Sequence, residues 1–275
     1  MKKLVVFGDS FANYNWVEEQ TSHLSWTSIL SANLNLPVIN YGVSGSGLNY
    51  SMYKFFEYVH SENYDSNDII VWLTTNEQRL YTTSMPDPHL GTFHNFPTNK
   101  ITDLFNKDYK WIDENRQHAL WAMENYYDPA INYSLLKIAS FLKQWARSNK
   151  NTTIVLLKGQ CCIKGGEKIH SFLDYITESD NFFPILNQEE SLGRISGDEF
   201  VNFELYEYLL LKKTKHGPKV DLRVNHLSET NRAVLATQLT NIITHRSATH
   251  WNRTEYKKHI YSTKKDIDRI DKRFF

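Results

Sequence analysis

Residues 4–11 read Leu4-Val5-Val6-Phe7-Gly8-Asp9-Ser10-Phe11. Four apolar residues run straight into a glycine. That suits a strand buried on both faces and ended by a tight turn. Asp9 and Ser10 then fall just past the strand's carboxyl end, the edge at which open α/β sheets bind ligands. Two roles compete for Ser10. It is either a nucleophile carried on the turn or a cap for the next helix, because Asp and Ser are both favoured caps.

The chain downstream repeats the pattern of the first strand. Trp26, Ile29, Leu30 and Leu34 keep helical spacing over residues 25–35, and Asn35 and Pro37 stop that helix. Residues 37–41 form a short second strand, followed by the flexible turn Gly42-Val43-Ser44-Gly45-Ser46-Gly47. Leu48, Met52, Phe55, Phe56 and Val59 line one face of the next helix. Residues 68–73 read as a third buried strand that runs into Thr74-Thr75-Asn76-Glu77. Strand, helix, strand, helix, strand predicts a three-layer α/β/α fold around a mostly parallel sheet.

Residues 80–113 break the rhythm with three prolines and two histidines, and read as an insertion. Residues 114–147 are predicted helical in two pieces split near Asp128-Pro129. Ile131, Leu135, Ala139, Leu142 and Trp145 mark the inner face of the second piece. Residues 152–158 form a fourth strand. The stretch 160–225 gives little beyond a turn at Gly165-Gly166, a helix over 169–176 and an apolar run over 200–211. Residues 228–244 form a helix with Ala233, Val234, Leu235, Leu239 and Ile242 inward. Residues 246–275 form a basic amphipathic helical extension, in which Lys and Arg outnumber Asp and Glu by eight to four over 253–273. Such a face docks on the body of the protein or on a second copy. The organisation is one domain over 1–245 plus this extension.

Composition excludes several classes. Lys plus Arg and Asp plus Glu are equal at 31 each in 275 residues, so no general charge favours nucleic acid or an anionic membrane. No stretch approaches the ~20 apolar residues of a membrane span. The apolar run after Met1-Lys2-Lys3 ends at Phe7, too short for a secretory signal. The expectation is therefore a cytoplasmic protein, with packaging in a larger particle or non-classical export left open. Cys161 and Cys162 are adjacent, which fits reduced thiols and not a disulfide framework or a spaced zinc site. Aromatic residues make up 14%, which suits sugar-ring contacts, although core filling is their ordinary role.

The polar clusters fall where strands end. Ser10 follows the first strand, Gly45 the second and Asn76 the third, and His226 lies just before the 228–244 helix. A nucleophilic serine needs a base for its proton and donors for the developing oxyanion. These blocks resemble those of the SGNH (GDSL-type) hydrolase family. Val6-Phe7-Gly8-Asp9-Ser10-Phe11 is similar to its first block, Asn40-Tyr41-Gly42-Val43-Ser44-Gly45 to its second, and His226-Leu227-Ser228 to its fourth. The third block usually reads Gly-x-Asn-Asp and here reads Thr74-Thr75-Asn76-Glu77.

The resemblance implies a flavodoxin-like fold and ester hydrolysis through an acyl-enzyme, with no metal or other cofactor. Ser10 is the implied nucleophile and His226 the base. The Ser10 N–H, the Gly45 N–H and the Asn76 side-chain amide are the implied oxyanion donors. The family's acid usually lies three residues before the histidine, where this chain has Arg223. Asp221 is the nearest acid in that loop and is nominated to orient His226, the alternative being a Ser–His dyad. Asp9 and Arg79 are the candidate substrate-binding side chains, Arg79 as a partner for an anionic group. The implied substrate is a small ester, with an O-acyl group on a carbohydrate as one candidate. Two further readings keep the same fold: an O-acyltransferase, and a non-catalytic module that binds glycans through Trp16, Tyr81 and Trp111. Nucleotide binding fails because the glycines of residues 42–47 have neither the dinucleotide nor the phosphate-loop spacing. His89 and His94 near Asp87 lack regular metal-ligand spacing.

Overall fold

The structure is a computed structural model and describes residues 1–9, 11–12, 24–43, 46–75, 128–159, 173, 175–187, 190–199 and 227–258. Among them the elements in chain order are β1 (Leu4–Phe7), α1 (Trp26–Leu34), β2 (Val38–Asn40), α2 (Leu48–Val59), β3 (Ile69–Thr74), α3 (Asp128–Ser148), β4 (Thr153–Lys158), β5 (Phe182–Ile185), α4 (Leu192–Gly197) and α5 (Glu229–His245). The insertion over 80–113, the predicted helical piece before residue 128, Cys161 and Cys162, the 200–211 run and the extension beyond residue 258 lie outside the described residues.

The five strands form one sheet in the order β2-β1-β3-β4-β5, and every pairing is parallel. Alternation along the strands splits the core in two. Leu4, Val6, Val71, Leu73, Val155 and Leu157 face one side, with Leu30 of α1 and Leu235, Leu239 and Ile242 of α5. Val5, Phe7, Ile70, Trp72, Ile154 and Leu156 face the other, with Phe55 of α2 and Leu135, Ala139 and Leu142 of α3. Helices thus cover both faces, giving the three-layer α/β/α arrangement expected of uninterrupted apolar strands. Each fully buried Leu, Ile, Val or Phe contributes roughly 1.5–3 kcal/mol.

Aromatic packing accounts for much of the second face. Phe7 stacks on Tyr41 at 5.2 Å with an 8° interplanar angle and meets Phe55 edge-on at 5.8 Å. Phe55 meets Trp145 edge-on at 5.2 Å. Phe56, expected on the inner face of α2, is instead 42% exposed, and Tyr50 and Tyr58 are buried. Trp16, Tyr81 and Trp111 lie outside the described residues.

Buried polar groups clamp the amino edge of the sheet. Asp68 accepts the Lys3 N–H at 2.7 Å, the Asp65 N–H at 2.9 Å and the Tyr58 hydroxyl. Burial and the Asp68 carboxylate together push the Tyr58 hydroxyl far above its ordinary pKa. Asn181 donates from Nδ2 to the Ala146, Asn149 and Thr152 carbonyls at 2.9, 3.1 and 2.8 Å, fixing where β5 starts. β5 carries Pro184, which is tolerated because among the described residues β5 is the edge strand.

The buried face of α5 differs from the hydrophobic reading. Ala233 is exposed, whereas Asn231, Arg232 and Gln238 are buried. Residues 247–258 pack there as two 3-10 turns, Ala248–His250 and Arg253–Glu255. Gln238 donates to the Asn252 carbonyl at 2.7 Å and to Glu255 Oε2 at 3.0 Å, and Tyr256 is buried in the core. Over 253–256 the chain is a 3-10 turn followed by Tyr256 in extended conformation, and the rest of the predicted helical extension, beyond residue 258, lies outside the described residues. Among the described residues no helix is long and apolar enough to cross a membrane.

Candidate active site

In the strand order 2-1-3-4-5 the chain leaves β1 toward β2 on one side and returns to β3 on the other. This switch point opens a crevice at the carboxyl ends of β1 and β3, where doubly wound sheets bind ligands. The residues at that crevice are Gly8 and Asp9 after β1, and Thr75 after β3.

Gly8 has φ +151°, a conformation that side chains rarely adopt, and a Cβ there would lie 2.9 Å from Leu73 Cβ and 3.1 Å from the Leu73 carbonyl oxygen. Glycine therefore lets β1 turn sharply against β3. Asp9 is fully buried. Its Oδ1 accepts the Phe11 N–H at 3.0 Å and its carbonyl accepts the Ala12 N–H at 3.0 Å. The carboxylate thus braces the turn from the inside, a local side-chain-to-backbone bond typical of Asp. The Phe11 and Ala12 carbonyls accept Trp26 Nε1–H at 2.7 Å and Asn40 Nδ2–H at 2.6 Å. The backbone just after Ser10 is therefore held by α1 and β2.

The turn after β2 is tied to the same place. The Gly8 carbonyl accepts the Val43 N–H and the Ser46 hydroxyl, each at 3.1 Å. Ser46 N–H donates to the Val43 carbonyl at 3.0 Å, closing the turn. The Ser46 carbonyl accepts the Thr75 hydroxyl at 3.0 Å, which ties in the end of β3. A chain of hydrogen bonds thus runs from Gly8 through Ser46 to Thr75. The Thr74 carbonyl accepts the Gly159 N–H at 3.0 Å, and the Gly159 carbonyl accepts the Gly193 N–H at 2.6 Å. Lys158, at the carboxyl end of β4, is buried in the same neighbourhood.

The fourth block enters at α5. Leu227 is buried in the core cluster that also holds Phe11, Ala12 and Leu73. Ser228 caps α5, its hydroxyl accepting the Asn231 N–H at 3.3 Å. The Ser228 N–H donates to both oxygens of Glu199, at 3.1 and 3.0 Å, and Asn231 Nδ2 also donates to Glu199 Oε1. Burial pushes the Glu199 carboxyl up to about 7, against the lowering effect of these donors and of Arg232.

Of the sequence-derived site residues, Asp9 is described. Ser10, Gly45, Asn76, Arg79, Asp221 and His226 lie outside the described residues. What is described is the chain next to four of them: Asp9 and Phe11 beside Ser10, Ser46 beside Gly45, Thr75 beside Asn76 and Leu227 beside His226. Hydrogen bonds join Gly8, Ser46 and Thr75, and Leu227 shares a core cluster with Phe11. Glu199 was not found from the sequence, because its importance arises from contact with residues 29 and 32 positions away. Among the described residues no group of three or more His, Cys, Asp or Glu side chains could hold a metal ion.

Glu199 has a measurable consequence for stability. In the folded protein it keeps its proton up to about pH 7, and in the unfolded chain it loses that proton near its ordinary value of 4.5. Between these values the folded state binds more protons, so stability falls as pH rises through that window. The loss is of the order of 3 kcal/mol. Urea unfolding at pH 5 and pH 7.5 is expected to show this decline in the wild type and a flatter dependence in Glu199→Gln.

The strand order defines a doubly wound α/β protein with its topological switch point between β1 and β3. No protein-family model matches the chain, and comparison with curated proteins gives no match.

Proposed function

We propose that this chain is a serine hydrolase of the SGNH (GDSL) type acting on a small ester, with an O-acyl group on a carbohydrate as one candidate substrate. The observation that carries this reading is the hydrogen-bonded run Gly8–Ser46–Thr75. It joins Gly8, two residues before Ser10, to the neighbours of Gly45 and Asn76 at the carboxyl edge of a flavodoxin-ordered sheet. A nucleophile and its oxyanion donors must meet within a few ångströms, and a knitted edge meets that need.

In the proposed reaction Ser10 Oγ attacks the ester carbonyl carbon while His226 takes the hydroxyl proton. The carbonyl π electrons move onto oxygen, and the Ser10 N–H, Gly45 N–H and Asn76 amide stabilise that charge. The tetrahedral intermediate collapses to an acyl-serine. The alcohol leaves with the proton from His226. Water then attacks the acyl-serine, losing its proton to His226, and the second tetrahedral intermediate collapses to the acid as His226 returns that proton to Ser10 Oγ. Asp221 is the proposed orienting acid, and Arg79 the proposed partner for an anionic substrate group.

Hydrolysis of short-chain aryl esters by the wild type and Asn76→Ala tests the oxyanion assignment. Losing one donor is expected to lower kcat by about 10²–10³-fold, with KM little changed. A variant as fast as the wild type removes Asn76 from the site, and a wild type with no turnover of acetyl, butyryl or acylated-sugar esters counts against the hydrolase reading.

A further inference from the structure

Trp72 and Ser51 each bury a donor that has no hydrogen-bond partner. Trp72 is 0% exposed with Nε1 unpaired, and Ser51 is 1% exposed with Oγ unpaired. Buried polar atoms are nearly always satisfied, so an orphaned donor marks a place where a ligand, an ion or water completes the bonding. Both residues lie in the layer between the sheet and α2. Ser51 stands one helical turn before Phe55 on the buried stripe Leu48, Ser51, Phe55 and Tyr58, and the Phe55 ring packs on Trp72 at 5.6 Å.

A cation shares this layer. Ile154 and Leu156 of β4 belong to the same core half as Trp72, so strand alternation turns Lys158 the same way. Lys158 pairs in register with Thr74, and Leu156 pairs with Trp72. Lys158 and Trp72 are therefore diagonal neighbours on adjacent strands. Lys158 is 1% exposed, and a charge buried that deeply calls for acceptors or negative charge close by. The amino end of α2 reaches the same edge, because Ser46 is tied to Gly8 and to Thr75. Gly47 caps α2 without a side-chain hydrogen bond, and the dipole of the helix favours an anion there. Trp72 Nε1–H and the Lys158 ammonium can only donate, and the Ser51 hydroxyl can do so.

We propose that this layer holds an anion site at the carboxyl ends of β3 and β4, suited to a carboxylate: Lys158 supplies the opposite charge, and Trp72 Nε1–H and the Ser51 hydroxyl donate to the carboxylate oxygens. One cation with two neutral donors matches a single negative charge better than the two of a phosphate. At the edge proposed for catalysis, this carboxylate belongs to the substrate, an ester whose acyl or alcohol half carries an acid group. That last step rests on the serine hydrolase reading, and the anion site itself does not.

The test is an NMR titration of the full chain carrying nitrogen-15-labelled tryptophan, with the Trp72 indole signal assigned by its absence from Trp72→Phe. Sodium acetate and inorganic phosphate are added separately, each exchanged against chloride at constant ionic strength. Acetate is expected to move the Trp72 N–H downfield along a saturating curve. In Lys158→Met the acetate dissociation constant is expected to rise at least about 10-fold, the usual effect of losing a charge-assisted hydrogen bond. A Trp72 signal that does not move, or equal affinity in wild type and Lys158→Met, overturns the proposal. A saturating response to phosphate without one to acetate also overturns it. If Lys158→Met does not fold, Ser51→Ala decides: weaker acetate binding supports the site, and unchanged binding overturns it. Fluorophosphonate labelling of Ser10 on the same samples separates this inference from the functional reading. Saturable acetate binding with an unlabelled Ser10 supports the anion site and removes the hydrolase assignment. A labelled Ser10 with an unmoved Trp72 signal keeps the hydrolase and removes the anion site.

Discussion

With Ser10 replaced by alanine, hydrolysis of a short-chain aryl ester is expected to fall by about 10⁶-fold in kcat, leaving a residue of activity from the oxyanion donors and binding alone. The effect is large because the serine hydroxyl forms the acyl-enzyme and no other group replaces it. The fold is expected to survive. Among the described residues the neighbouring turn is braced by hydrogen bonds of the Asp9 carboxylate, the Asp9 carbonyl, Trp26 and Asn40, and these four remain in the variant. Unchanged near-ultraviolet circular dichroism beside lost turnover is the predicted pair of results. Equal rates in wild type and variant would remove the enzyme assignment.

The second large effect is on stability, at Gly159. A Cβ on this residue would lie 2.2 Å from the Thr74 carbonyl oxygen and 3.3 Å from the Thr74 carbonyl carbon. These are backbone atoms of β3, so no rotamer change relieves the contact. The same carbonyl accepts the Gly159 N–H, and the Gly159 carbonyl accepts the Gly193 N–H. Gly159→Ala must therefore separate β3 from β4 at the crevice edge and disturb α4 as well. The expected cost is ~3 kcal/mol or more, a large fraction of an ordinary domain's stability. A drop in the urea midpoint of well over 1 M is the expected readout at the usual sensitivity of unfolding to urea. A midpoint within error of the wild type would mean that the β3–β4 edge yields far more easily than its close packing implies.

The legible parts of the sequence were those fixed by local physics. β1, β3 and β4 are continuous apolar runs because both of their faces are covered. α1 announces its ends through the Ser25 cap and the left-handed Asn35. β5 escaped detection because four residues that include a proline carry no period to detect. The α5 face was misread at Ala233, Asn231, Arg232 and Gln238 because hydrophobic spacing ignores buried polar groups whose partners come from elsewhere in the chain. Glu199 and residues 252–257 supply those partners. The convergence of the β1 and β3 ends was legible because a parallel sheet brings successive strand ends to one edge. The role of the Asp9 carboxylate in bracing the turn, and the hold of Glu199 on Ser228, depend on three-dimensional contacts that residue types alone do not specify.

Reaction of the purified full chain with a fluorophosphonate, followed by peptide mass mapping, reads the nucleophile most directly. A serine hydrolase built on this edge gives one adduct, on the peptide containing Ser10, and that adduct forms far more slowly in His226→Ala. Folded protein that stays unlabelled, or an adduct on a different residue, would refute Ser10 as the nucleophile.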